Sequence, residues 1–479
     1  MTTNLWAAYP ATYRAREMKT MAGWISSGES GSVVGLSGCG RSNLLGFLCR
    51  RPEVLQTYLL PEASPVALIQ VDLNNLPASN LSTLYRVILR SFYRVRDQFD
   101  PTLAQKITTL YQENRMERDP FLPQSALQEL LVLFQAEHVH VVLVLNRFDR
   151  FCQIATLQMI NTLRGLRDDF KDTLCYIAGM SQEAAYLPDP TILGDMYELL
   201  DNYICWLGTM NDGDARNLIA RATRAAHASP SEADVTAMLA LTGGYPALLR
   251  AVCYWWLATE NMPAHLEWAT TFLAERSIQY RLTKIWAGLT QEEQFVLSEL
   301  QKLQMTVEIT TKRQLLEDKA KPLQKIFQDF ATKHHDILSR LAEKGVCAWA
   351  ETGWRITADL LADYVAGVKE RGRGRIWLEE QTGEVFQGQT LIKGLTALEI
   401  SVLSFLVKHP RIRHTKTDLI VNTWPDELCE HGVTDNSLYQ VISTLRKTIE
   451  PNPSRPAYLL TWRGKPEGGY QFFPEGRPG

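Results

Sequence analysis

The chain has 479 residues, 45 % hydrophobic and 22 % charged, which excludes a disordered or collagenous polypeptide and leaves room for about three domains with cores of their own. Its net charge of −3 excludes a protein that coats nucleic acid by bulk charge, so any such contact must be local. The eight cysteines are scattered without a CxxC pair, which points to neither a zinc site nor a disulfide framework and fits a reducing compartment. No run approaches the ~18 apolar residues that span a bilayer, and the first residues lack a basic-then-apolar leader, so a cytoplasmic protein with no membrane partner is expected.

From residue 31 to 208, short apolar runs alternate with helical stretches. "GSVVGLSGCGRSNLL" (31–45) reads as a strand, a glycine loop and a helix. "PVALIQVDL" (65–73), "HVHVVLVLNRFDRF" (138–151), "TLCYIAGMS" (173–181) and "NYICWLG" (202–208) supply further strands. Continuous apolar strands separated by helices imply a parallel sheet covered on both faces, an α/β nucleotide-binding layout. Residues 209–278 read as a helical lid, with Asn211 or Asp212 as an N-cap and the "TGGYP" turn between two helices.

Residues 279–370 open with a capping box, Thr290 and Glu293, and close with a hairpin in "CAWAETGWRIT", the order of a winged helix. The Gly/Arg stretch at 371–375 reads as a linker. Residues 376–479 repeat the arrangement: Thr396 and Glu399 form a second capping box, an amphipathic helix begins near Thr434, and "YLLTWRGKPEGGYQFF" (458–473) gives two strands around a glycine turn. The fold class expected is therefore an α/β P-loop core with a parallel sheet and helical lid (1–208 and 209–278), followed by two winged-helix α+β domains.

The glycine loop carries the chemistry. A phosphate loop needs glycines so that successive N–H groups turn inward around an anion, with a helix N-terminus behind them. Gly35, Gly38 and Gly40 meet that need; Cys39, Arg41, Ser42 and Asn43 complete the candidate nucleotide site, with Ser42 where a hydroxyl would ligate Mg²⁺. Arg41 stands where the Walker A pattern has lysine, and a planar fork is not equivalent to a compact ammonium. A Walker B strand should end in acids, yet Asn146 and Arg147 hold those places. Asp149, one turn on, is the only nearby acid; it either takes over part of that catalytic role or caps the next helix. These departures predict a site that binds ATP or ADP, with or without Mg²⁺, but hydrolyses it poorly.

Residues 1 to about 370 resemble the STAND and origin-recognition-like AAA+ ATPases in "YRAREMKTMAGWI", "GLSGCGRSNLL", the degenerate "VLVLNRFDRF", "YIAGMS" and "LTGGYPALLR". The resemblance implies that Gly244, Tyr245 and Pro246 link the lid to nucleotide, that Ser181 lies at or beside the sensor position, and that nucleotide state sets the packing of lid and winged helix. Residues 376 to about 474 resemble the OmpR/PhoB-type winged helix of bacterial regulators in "GLTALEISVLSFLVKHP", "LIVNTW", "LRK" and "YLLTWRGKPEGGYQFF".

In such a helix-turn-helix the helix from Thr434 would bury Leu438, Val441, Ile442 and Leu445 and turn Asn436, Tyr439, Gln440, Ser443 and Thr444 toward duplex DNA. Arg446 and Lys447 would touch phosphate or nearby acids, and Arg463 and Lys465 would arm the wing. From residue 371 onward, 14 Lys and Arg face 12 Asp and Glu, a weak footprint for DNA. The leading expectation is a cytoplasmic bacterial transcriptional regulator with a hydrolysis-impaired ATPase module. The alternatives are an oligomeric scaffold whose winged helix docks a protein partner, and an active ATPase working on DNA.

Overall fold

The computed structural model describes residues 5–61, 64–73, 76–224, 228–259, 261–312, 317–350, 353–371, 374–379, 382–388, 390–425, 435–450, 453–454, 456–464 and 467–476. They form two compact units, residues 1–289 with 335–361, and residues 290–334 with 362–479.

The first unit is built on a parallel five-stranded sheet: β1 (Gly31–Val34), β2 (Val66–Asp72), β3 (His140–Asn146), β4 (Leu174–Met180) and β5 (Ile204–Trp206), in the order β2-β3-β4-β1-β5. Burial follows position. Central β1 and β4 are buried at every residue and β3 at all but its last, whereas edge strands β2 and β5 are buried only in part. This is why the central strands read as unbroken apolar runs: helices cover both faces, so neither side of the pleat can carry charge. Helices Leu81–Val95, Phe121–Ala136 and Leu157–Asp169 pack their apolar stripes into the core around Phe92, Phe134, Leu143 and Tyr176. The chain has the P-loop NTPase fold.

Strand order sets the site. β4 lies between β1 and β3, so the glycine loop after β1 and the residues closing β3 face each other across the end of β4. The chain reverses direction across the sheet here, and in open parallel sheets ligands bind at the carboxyl ends of strands at such a reversal.

Helices Asp212–Arg224, Glu232–Thr242, Pro246–Ala258, His265–Ala274 and Arg276–Ala287 follow in chain order, and the lid expected at 209–278 falls on them. Asn211 is its first cap, accepting the Asp214 N–H at 2.8 Å. The Thr290–Glu293 capping box forms reciprocally, at 2.9 and 3.2 Å. In chain order, helices Gln291–Lys312, Glu317–Lys333 and His335–Glu343 are followed by the antiparallel hairpin of β6 (Cys347–Ala350) and β7 (Gly353–Ile356); the stretch expected as a first winged helix, 279–370, is divided between the two compact units.

The second unit carries an antiparallel sheet not foreseen from the sequence, β8 (Ile376–Leu378), β9 (Val385–Gln387) and β10 (Thr390–Leu391). Helices Ala397–Lys408, Lys416–Thr423 and Asp435–Ile449 follow. A second sheet, ordered β11-β13-β12, joins β11 (Arg413–Thr415) to the wing strands β12 (Leu459–Trp462) and β13 (Gly469–Phe472). Leu438, Val441, Ile442 and Leu445 are buried with Val402, Leu406 and Phe472, as the helical period requires. Glu450 anchors the entry to β12: its buried carboxylate accepts the N–H groups of Ala457, Tyr458 and Leu459 at 2.6, 2.9 and 2.7 Å. Residues 372–373 of the expected linker and Thr434 lie outside the described residues.

Candidate functional site

The glycine loop divides its backbone into two sides. On the carbonyl side, every bond is made by the protein. Gly35 accepts from Arg41 Nη1 at 2.9 Å, Ser37 from the Tyr245 hydroxyl at 2.9 Å, Gly38 from the Ala247 N–H at 3.1 Å and Cys39 from Arg14 Nη2 at 3.0 Å. On the amide side, among the described residues, no hydrogen bond takes up the N–H of Gly38, Gly40, Ser42 or Asn43, while the Arg41 N–H faces the Cys39 thiol. Helix Arg41–Arg50 starts there with no side-chain cap. Free amides at a helix N-terminus, held by an occupied carbonyl side, make a cradle for anionic oxygens.

The glycines are required by geometry. Gly38 and Gly40 have φ of 90° and 96°, the left-handed side that glycine adopts without penalty. A Cβ on Gly38 would lie 2.7 Å from Ala247 Cβ, and one on Gly35 would lie 2.5 Å from Cys39 Sγ. Pro246 packs beside Gly40 at the first turn of its lid helix, 3.6 Å from where a Cβ would stand. Burial pushes the Cys39 thiol and the Tyr245 phenol upward, so both are neutral walls of the loop.

The metal side is thinner. The Ser42 hydroxyl and the Asn146 side-chain amide meet at 3.4 Å, the outer edge of hydrogen bonding, and Asn146 brings no charge. Arg147 is exposed, with φ of 57°, heading the short helix Phe148–Cys152. Asp149 does not cap that helix. It lies inside the first turn, 7 % exposed, and one carboxylate oxygen accepts from the Ser181 N–H at 3.3 Å and from the Ser181 hydroxyl. The residues therefore fit phosphate through backbone amides and fit Mg²⁺ only through neutral oxygens. Among the described residues, no cluster of three His, Cys, Asp or Glu side chains is arranged to hold a metal.

Arg14 was not singled out from the sequence, where nothing local marks it. It is 2 % exposed, and besides Cys39 it donates to Thr209 and Gly208 at 2.7 and 3.0 Å, while its N–H donates to Asp214 of the lid at 3.0 Å. Its φ of 52° is strained for a residue with a Cβ, on the order of 1 kcal/mol. One side chain thus ties the amino-terminal segment, the glycine loop and the lid.

The second candidate surface lies on the terminal winged helix. Asn436, Tyr439, Gln440, Ser443 and Lys447 are exposed on one side of helix Asp435–Ile449, and Thr444 is half-buried. Arg463 is exposed in the wing; Lys465 lies outside the described residues. Arg446 goes elsewhere than to solvent. Its guanidinium donates to the Leu459 carbonyl at 3.0 and 2.7 Å and to Thr461 Oγ1 at 2.9 Å, and burial lowers its pKa. It fastens the helix to the wing. Lys416 stands 5.0 Å over the Tyr439 ring, and with Trp462 and Arg463 these residues line a hollow of about 250 Å³ between helix and wing.

Residues 389–472 match the family model described as "Transcriptional regulatory protein, C terminal". The helices, wing and core above are that domain, of the OmpR/PhoB type. Protein PetR of Rhodobacter capsulatus is 31 % identical over 112 residues, 23 % of this chain and 46 % of that protein, so the chain spans about half the length of this relative. Among solved structures, similarity extends to the Aeropyrum pernix ORC2 protein in ADPNP–ADP complexes, with 14 % identity over 77 % of this chain and 95 % of that one at a TM-score of 0.34. It also extends to a Walker-type ATPase of Pyrococcus abyssi, 13 % identical over 74 % and 98 % at 0.41, and to Cdc6p of Pyrobaculum aerophilum, 11 % identical over 75 % and 94 % at 0.31. Among the described residues no helix is long and apolar enough to cross a membrane.

Proposed function

We propose that the protein is a DNA-binding transcriptional regulator in which a P-loop module, residues 1–208 with a lid at 209–278, holds ATP or ADP and controls the winged helix at 376–479. The observation that carries the regulator reading is the family match over residues 389–472, together with an exposed row of Asn436, Tyr439, Gln440, Ser443 and Lys447 on helix Asp435–Ile449. Asn and Gln can pair with adenine edges in the major groove, while Lys447 and the wing's Arg463 serve the phosphates. Fastened by Arg446, helix and wing move as one reading head.

What supports nucleotide holding is the set of free amides at Gly38, Gly40, Ser42 and Asn43. A bound nucleotide would supply phosphate oxygens to those amides, and Pro246 and Tyr245 stand where the lid would feel it. Support for weak hydrolysis comes from Asn146 in the acid's place, from Arg41 turned onto Gly35, and from Asp149 engaged with Ser181. With a neutral amide, Asn146, as the side-chain partner of Ser42, little orients a hydrated Mg²⁺ there and turnover is slow.

The near balance of charge beyond residue 371 favours a second reading, a winged helix that docks a protein. Retention on duplex DNA across a salt series separates the two. Specific regulators lose affinity steeply with salt, and a chain with no salt-sensitive DNA retention is a docking scaffold. Calorimetry with ATP and ADP, alongside a turnover assay, tests the module.

A further inference from the structure

The start of helix Lys416–Thr423 is held from two directions. Thr415 and Asp418 close a reciprocal box at 2.9 and 3.0 Å, which leaves the Thr417 N–H, one of the amides a helix cannot bond within itself, to find another acceptor. That acceptor comes from the wing. One oxygen of the Glu467 carboxylate takes the Thr417 N–H at 3.0 Å, and the other takes the Thr417 hydroxyl at 2.9 Å. Register delivers it there: Gly469 of β13 stands opposite Thr415 of β11 and Trp462 of β12, and the His414 carbonyl leaves no room for a side chain at Gly469.

Lys416 and Gly468, the chain neighbours of the two partners, line the hollow between helix Asp435–Ile449 and the wing, together with Arg463 and with Tyr439 of the exposed row. Thr417 is exposed and Glu467 half-buried, so the carboxylate is within reach of whatever approaches that surface. Among the described residues no cation lies within ion-pair distance of Glu467, while Lys416 stands 5.0 Å over the Tyr439 ring. An interface that binds by neutralising the DNA backbone gains nothing from an uncompensated negative charge. We propose, on the DNA-binding reading, that Glu467 is a built-in brake: its carboxylate holds the wing turn on the helix start and at the same time repels the backbone of the duplex. The two tasks are separable. Hydrogen bonds from Thr417 need acceptor oxygens, of which an amide keeps one, whereas repulsion needs the charge.

The test is fluorescence anisotropy of a labelled mixed-sequence duplex with the full chain across a KCl series, since repulsion of phosphates does not depend on base sequence. Glu467→Gln is expected to bind about three- to tenfold more tightly at low salt, with the gain shrinking as salt screens it. Glu467→Asp, which keeps the charge on a shorter arm, is expected to show no gain. A Glu467→Gln chain that binds no more tightly than the parent overturns the brake and leaves the DNA-binding reading standing. An equal gain in Glu467→Asp, or a gain in Glu467→Gln undiminished at high salt, also overturns it, because the effect then comes from a loosened wing. No salt-sensitive retention by either the parent or Glu467→Gln overturns the DNA-binding reading and the brake together.

Discussion

The Arg41 guanidinium donates to the carbonyl of Gly35, six residues back in its own loop, at 2.9 Å. The cation at the lysine position therefore braces the loop instead of reaching out over it. Replacing it by lysine, a compact charge without a fork, frees that carbonyl and presents an ammonium to the cradle. Arg41→Lys is expected to tighten ATP by about three- to tenfold, read with a fluorescent analogue, while turnover stays at background because Asn146 still lacks charge. Weaker ATP binding in Arg41→Lys would show that arginine is itself a phosphate ligand.

Arg14 satisfies three carbonyls from a buried position, so its loss leaves buried acceptors bare. Arg14→Ala is expected to cost about 3–5 kcal/mol in urea unfolding, and Arg14→Lys to recover only part, since one ammonium cannot span the fork. A cost under about 1 kcal/mol would remove Arg14 from the centre of the first unit.

Arg446 and Lys447 are adjacent in sequence and differ in task. Lys447→Ala is expected to lower the salt slope of DNA binding by about 1, the signature of a lost phosphate contact. Arg446→Met weakens DNA binding with the slope unchanged, because it loosens the wing from the helix. Equal slope changes in both variants would return Arg446 to the phosphate-contacting set.

Burial pushes the Tyr13 phenol from 10.0 up to about 12, with Arg14 beside it lowering it in part. The folded state prefers the neutral phenol, so this contribution is fully present below pH 10 and is lost as pH rises toward about 12. Tyr13→Phe should remove one of the late-titrating phenols from the tyrosinate absorbance curve and move the alkaline unfolding transition upward. An unchanged transition in Tyr13→Phe would assign it to other groups.

The parallel strands were legible because β1, β3 and β4 are buried on both faces and carry unbroken apolar runs, and the buried side of helix Asp435–Ile449 was legible from its period. The order of the strands was not: nothing in "TLCYIAGMS" says that β4 enters between β1 and β3, since neighbours in a sheet are chosen by packing between segments far apart in sequence. The glycine loop was readable as a cradle, while the bonds that hold it came from Arg14 and Tyr245, distant residues with no local signature. Asp149 was read as the nearby acid with two alternatives, both of them local. Its partner, Ser181, lies 32 residues on, at the end of another strand. Arg446 was read as a surface cation because its spacing is that of an amphipathic helix; only the returning wing gives it a carbonyl to hold.

The division of the glycine loop into an occupied carbonyl side and a free amide side has a consequence for how the chain tolerates change. Groups serving the carbonyl side, such as the Tyr245 hydroxyl and the Arg14 fork, secure the fold with or without a ligand, so a saturating mutational screen scored for abundance should find them nearly immutable. The Asn43 side chain and Ser42, whose hydroxyl has only the 3.4 Å contact with Asn146, add little to the fold, and the same screen should find them permissive. Chemistry at such a loop can erode while the architecture persists, and the two kinds of loss are separable by scoring abundance and output in the same library.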